Sequence, residues 1–150
     1  MTATASPTNP TRSRRIAVGI GCDRQASCEE IESLLLDCLT ISGLTLSAIE
    51  CLASVDLKSD EPGLLALAAK LGRPLRFFPA AVLEAETPRL ANPSDSVFRA
   101  IGCHGVAEAA ALVVVGPAGR LLLPKRRSAR VTCALAEFPG AELPDIAVQD

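Results

Sequence analysis

Apolar and polar positions along the 150-residue chain fall into blocks that alternate between two periods. Ile16–Ile20 is a short apolar run with no polar break, the pattern of a buried strand. A polar loop follows, and Ser27-Cys-Glu-Glu30 reads as a capping box, with serine at the cap and glutamate three residues on. Ile31, Leu34, Leu35, Cys38 and Leu39 then repeat at helical spacing until Gly43. Ile49–Val55 is a second strand. Ser59 or Asp60 can cap a helix whose first turn holds Glu61 and Pro62 and whose apolar face runs from Leu64 to Leu71. Pro74–Phe78 is a third strand, and Ala80–Glu84 a short helix. Ser94 caps a helix reaching Ile101, and Gly102–Gly105 is a turn. Val106–Val115 is apolar nearly all round, which predicts a buried helix. Leu121–Leu123 and Val131–Leu135 form a strand pair around a basic loop.

Strand, helix, strand, helix, strand is the order of an α/β protein. The expected fold is a three-layer α/β/α sandwich with a mixed, mostly parallel sheet, its last two strands an antiparallel hairpin. One domain is expected over 16–138, between a disordered tail over 1–15 and a C-terminal tail over 139–150.

Composition narrows the function. Fifteen Lys and Arg against 17 Asp and Glu give a net charge of −2, where a general nucleic-acid binder is basic. With no Trp, no Tyr and four Phe, a base-stacking platform is not expected. Six cysteines without CxxC spacing sit mostly in apolar runs, as expected of reduced thiols in the cytoplasm. Arg14-Arg15 resembles a twin-arginine signal, but the apolar run after it is too short for a signal sequence. The Ala107–Gly116 run is about half a membrane span. No metal and no cofactor is expected.

Candidate chemistry gathers at three places. Gly19-Ile-Gly21-Cys22-Asp-Arg24 leads from a strand to the Ser27 cap, and ligands bind at such carboxyl ends in open α/β sheets. It is not a dinucleotide loop, because Arg24 stands where that motif needs glycine. Asp56 and Lys58 follow the neighbouring strand and share its rim; buried, they are the candidates for acid–base work. Residues 120–130 hold Arg120, Lys125, Arg126, Arg127 and Arg130 without an acid, while 28–61 hold eight acids and one lysine. A basic rim suits an anionic ligand, since cations pair strongly with carboxylates. The same stretch also reads as a solubilising hairpin. His104, beside Cys103, is either structural or a ligand group.

These residues together resemble a known pattern. Gly-Ile-Gly-Cys-x-Arg followed by Ser-x-Glu-Glu-Ile, then Ala53-Ser-Val-Asp-Leu-Lys-Ser-Asp-Glu-Pro-Gly-Leu-Leu65, is similar to the cobalamin-biosynthesis family of CobE and the CbiG C-terminal domain. Leu71-Gly-Arg-Pro-Leu-Arg-Phe-Phe78, Gly105-Val-Ala-Glu-Ala-Ala-Ala-Leu112, Leu123-Pro-Lys-Arg126 and Val131-Thr-Cys-Ala134 extend the likeness over about 16–136. The chain departs from the family's Cys-Arg-x-Gly-x-Ser pattern with Cys22-Asp-Arg-Gln-Ala-Ser27. The resemblance implies an α/β/α fold and a role in corrin-ring formation. CbiG proteins open a lactone on a cobalt-precorrin, but the likeness is to their C-terminal domain alone.

The expectation that follows is an aerobic-pathway accessory that binds a precorrin or corrin intermediate through its basic rim, with other pathway enzymes as further partners. Neither nucleic acid nor a membrane is expected among its partners. The expected ligand residues are Gly21, Cys22, Arg24, Ser27, Asp56, Lys58, His104, Lys125 and Arg126. The alternatives are an enzyme of hydrolase or lactone-opening type, and more weakly a cobalt carrier using Cys103 and His104.

Overall fold

A computed structural model of the chain describes residues 14–140, so the expected tails fall outside it except for residues 14, 15, 139 and 140. The elements are β1 (Ile16–Cys22), α1 (Cys28–Ser42), β2 (Ile49–Val55), α2 (Pro62–Leu71), β3 (Leu75–Phe78), α3 (Ala80–Glu84), α4 (Asp95–Ile101), α5 (Ala107–Val115), β4 (Arg120–Arg127) and β5 (Val131–Glu137). They form one five-stranded sheet in the order β3-β2-β1-β5-β4. β1, β2 and β3 are parallel, β5 runs against β1, and β4 runs against β5. The sheet is therefore mixed, with β5 alone reversed, as the sequence pattern predicts.

Alternation along the strands sends side chains to two faces. Ile16, Val18 and Ile20 of β1 pack with Val131, Cys133 and Leu135 of β5 beneath α1 and α2. On the other face Ala17 and Ala136 meet Ala111 and Leu112 of α5, and Ala53 and Val55 of β2 meet Ala109 and Ala110. The small residues have a reason. A Cβ on Gly19 would collide with the carbonyl oxygen of Ala107, so the first turn of α5 lies directly on β1. Gly19 serves packing and not a ligand-wrapping turn.

The α1 capping box forms as read: Ser27 Oγ accepts from Glu30 N at 3.1 Å, and Ser27 N donates to Glu30 Oε1 at 2.8 Å. α2 differs from expectation. Its N-cap is Glu61, which makes no side-chain capping bond, and Pro62 opens the helix. Proline's fixed φ and absent N–H suit that position without a capping side chain. The basic stretch differs more. β4 continues through Lys125, Arg126 and Arg127, so most of the expected loop is strand. Pro124 is tolerated because β4 is an edge strand and its register slips on both sides of Leu123.

Candidate functional site

A cavity of about 480 Å³ opens at the carboxyl end of β1. The topology places it there. β1 is flanked by β2 on one side and β5 on the other, and such a switch point leaves a crevice beyond the strand ends. Gly21 and Cys22 end β1 at the cavity, and Val55 ends β2. The buried Ser54 hydroxyl donates to the Ile20 carbonyl at 2.6 Å and ties the two strands below it. From the other side the β4–β5 hairpin closes over the first loop: Asp23 N donates to Arg130 O at 2.9 Å.

The two walls differ in chemistry. Lys58 of the turn after β2, and Lys125, Arg127 and Arg130 of the β4–β5 hairpin, bring cations to the lining with the hydroxyl-bearing Ser128 and Thr132. α4 contributes Val97, Ala100 and Ile101 together with Ser96 and its cap Ser94, next to Val106. Arg130 is already engaged, its Nη1 donating to Gln25 O at 3.3 Å and its Nε lying 3.8 Å from Glu30. Among the described residues no carboxylate pairs with Lys58, Lys125 or Arg127. Three cations without a salt bridge thus border the cavity, which Asp23 also lines, next to a mainly apolar helix face; Arg127 borders the Asp37 cleft as well. That arrangement can hold carboxylates at one edge of a ligand whose body is apolar.

Of the residues the sequence singles out, Gly21, Cys22, Lys58 and Lys125 are brought together here. Arg24 and Ser27 line a separate shallow cleft with Pro62 and Gly63, where the first turns of α1 and α2 meet. Ser27 is occupied by its capping bonds. Asp56 stands exposed in the 3₁₀ turn Asp56–Lys58, outside the lining. Arg126 lies on the opposite face of the sheet beside Asp37 and Cys38 of α1, because successive strand residues alternate.

His104 sits behind α4 and outside the lining. Its ring stacks on Phe98 with centroids 4.4 Å apart, and Nδ1 lies 2.9 Å from Glu84 Oε2. The His104 interaction holds the Glu84 carboxyl below its ordinary value, against the opposing effect of burial. Neighbouring Cys103 is fully buried, its Sγ 3.6 Å from Gly105 O. The described residues hold no group of three or more metal-ligating side chains. Burial pushes the Cys22 thiol up to about 11, with Lys58 pulling it down and Glu61 and Asp23 pushing it further up. At neutral pH it is a thiol and not a thiolate nucleophile.

Pattern reading misses Glu108. It lies on the otherwise apolar α5, 2% exposed. Lys125 N donates to its Oε2 at 2.8 Å, and Asn92 donates from both its backbone and its side chain at 2.9 Å. Burial raises its pKa, but these N–H donors outweigh it and hold the carboxyl below the ordinary value. The signal was a single acid inside an apolar helix, which implies a buried, bonded carboxylate.

Comparison with known proteins gives this architecture a context. The family described as Cobalamin synthesis G C-terminus matches residues 16–136, nearly all of the described chain. The chain belongs to that family. It is 44% identical over 121 residues to Protein CobE of Sinorhizobium sp, covering 81% of this chain and 79% of that protein. The crystal structure of CobE, a protein from the cobalamin (vitamin B12) biosynthetic pathway, superposes with a TM-score of 0.78 at 43% identity, covering 83% of this chain and 91% of that one. A more distant relative, cobalt-precorrin-5A hydrolase of Priestia megaterium, is 34% identical over 128 residues. That match covers 85% of this chain but 33% of the hydrolase, so the chain spans about a third of it. The protein is a cobalamin biosynthesis protein of the CobE/CbiG type. Among the described residues no helix is long and apolar enough to cross a membrane.

Proposed function

We propose that the protein binds a precorrin or corrin intermediate in the cavity at the end of β1, holding it for other enzymes of the pathway. The observation that carries this reading is the pairing of Lys58, Lys125 and Arg127, none of them in a salt bridge among the described residues, with the mainly apolar face of α4. Precorrins join acetate and propionate arms to an apolar ring, and this cavity offers a counterpart to each. Family membership and the likeness to CobE support the same reading.

A second reading, an enzyme acting on the intermediate, draws on the name of the hydrolase relative. The cavity lining favours binding. It supplies cations and hydroxyls, a thiol that burial keeps protonated, and Asp23 as its carboxylate. Titration of the protein with purified precorrin intermediates, followed by absorbance and then for turnover, separates the two. Saturable spectral change without product supports binding; conversion of the intermediate establishes an enzyme. No saturable change at low salt rejects the cavity as a corrinoid site.

A further inference from the structure

The two walls of the cavity come from distant parts of the chain, yet one carboxylate touches the backbone behind both. Lys125 stands where the β4 ladder slips register between Leu123 and Arg126. Its amide donates instead to Glu108 Oε2 at 2.8 Å. Asn92 leads into α4, the wall that carries Val97, Ala100 and Ile101. Its N donates to Glu108 Oε1, and its Nδ2 to Oε2, each at 2.9 Å. From Asn92 the connection continues to Ser94, which caps α4 through a bond from Val97 N to its hydroxyl and whose own N donates to His104 O at 2.8 Å. α4 itself has no buried residue; Ile101 packs against the core, Phe98 stacks on His104, and the ties at its N-terminal end add to these in positioning it. A glutamate in the first turn of α5 would satisfy the helix dipole while exposed. Glu108 is buried, and the donors it accepts from lie outside its own helix.

We propose that Glu108 is a positioning residue that joins the two walls of the cavity, setting Lys125 and α4 at the spacing the ligand needs. The proposal rests on the reading of the cavity as a corrinoid site. It acts through geometry, since Glu108 does not line the cavity. Glutamine keeps the shape, and with its oxygen at the Oε2 position it still accepts from Lys125 N and Asn92 Nδ2, but its NH₂ then faces the Asn92 N–H, so Glu108→Gln loosens the tie to the α4 connection.

The test uses uroporphyrin III, a tetrapyrrole with acetate and propionate arms, as the probe. Affinity is measured for the parent, Glu108→Gln, Lys125→Ala and the double variant, with amide exchange followed in the absence of ligand. Glu108→Gln should weaken binding about tenfold or more, a shift of about 1.4 kcal/mol. In the Lys125→Ala background the same change should add much less, because the spacing between the walls counts only while the Lys125 ammonium is there to meet the ligand. Exchange at the Asn92 amide should quicken while the β1 amides stay protected. Parent-like affinity in Glu108→Gln, or fully additive losses in the double variant, overturns the proposal. If Glu108→Gln does not fold, Asn92→Ala at an exposed position takes its place in the same cycle, with the same outcomes. A parent that fails to bind the porphyrin rejects the cavity reading and the proposal with it; a parent that binds beside an unaffected Glu108→Gln rejects the proposal alone.

Discussion

Lys125 and Arg126 are chemically alike neighbours, and the pleat separates them. Lys125 lines the cavity, whereas Arg126 stands over Cys38 on the far face. Lys125→Ala should therefore weaken binding of a precorrin or of uroporphyrin by about ten- to a hundredfold, the worth of one charge-assisted contact. Arg126→Ala should leave the affinity within about twofold at moderate salt, because a charge on the other face acts only at long range and is screened. Equal losses in the two variants, read by fluorescence titration, would remove the distinction between the faces. Glu108 makes a pH prediction. Its carboxyl is held below the ordinary value in the folded state, so the unfolded chain binds a proton first as pH falls. Its contribution to stability is complete above the ordinary glutamate pKa of about 4.3 and is lost as pH drops through the folded value. Urea unfolding between neutral pH and pH 3 should show this loss in the parent, with a slope of up to about 1.4 kcal/mol per pH unit. Glu108→Gln should be less stable at neutral pH and should lack that part of the slope.

At the scale of elements, close approach decides what composition alone does not. The first turn of α5 can rest on β1 only because Gly19 has no side chain. Gly19→Ala should destabilise the fold by more than about 2 kcal/mol, because the blocking atom is helix backbone and cannot rotate away. A change under about 0.5 kcal/mol in denaturant unfolding would show that α5 moves freely and that its contact with β1 is loose. Ser27→Ala at the α1 cap is the milder comparison, expected to cost about 1 kcal/mol. Most elements were legible from periodicity and caps: the Ser27 box, the αL Gly43 and Gly72 that end α1 and α2, and the apolar α5. The extent of β4 was not legible. Pro124 and the run of cations read as a loop, and only the edge position and the slipped ladder make that stretch a strand.

For the whole molecule, all six cysteines are free and five are buried; Cys28 alone is partly exposed. Burial raises the Cys28 thiol above its ordinary value, with Glu29 adding to the shift. Under native conditions a thiol reagent should titrate one cysteine, slowly, and six after denaturation. Fast reaction of several thiols in the native state would show that the sheet opens readily. The cavity is likewise a property of the whole molecule. Residues from β1, β2, α4 and the β4–β5 hairpin meet there, and they are separated by up to 111 positions in the chain.

Local chemistry was sufficient for the sequence to determine the order of strands and helices, the reversed hairpin, the family and the rim at the end of β1. Periodicity, caps and a contiguous motif are all written within a few residues of one another. Lys58 and Cys22, which follow and end a strand, and Lys125, which lies within β4 and not in the loop expected from the sequence, all come to the lining of the cavity at that rim. Tertiary structure alone decided which of the cations share a cavity, that Arg24, Ser27, Asp56, Arg126 and His104 stand outside it, and that α4 is its apolar wall. It also turned Glu108 from an oddity in an apolar helix into the acceptor for two distant segments. The physical reason is that a strand's facing, a slipped register and a buried carboxylate's partners are set by long-range pairing. Residues 92, 108 and 125 carry no mark in the chain that they will meet.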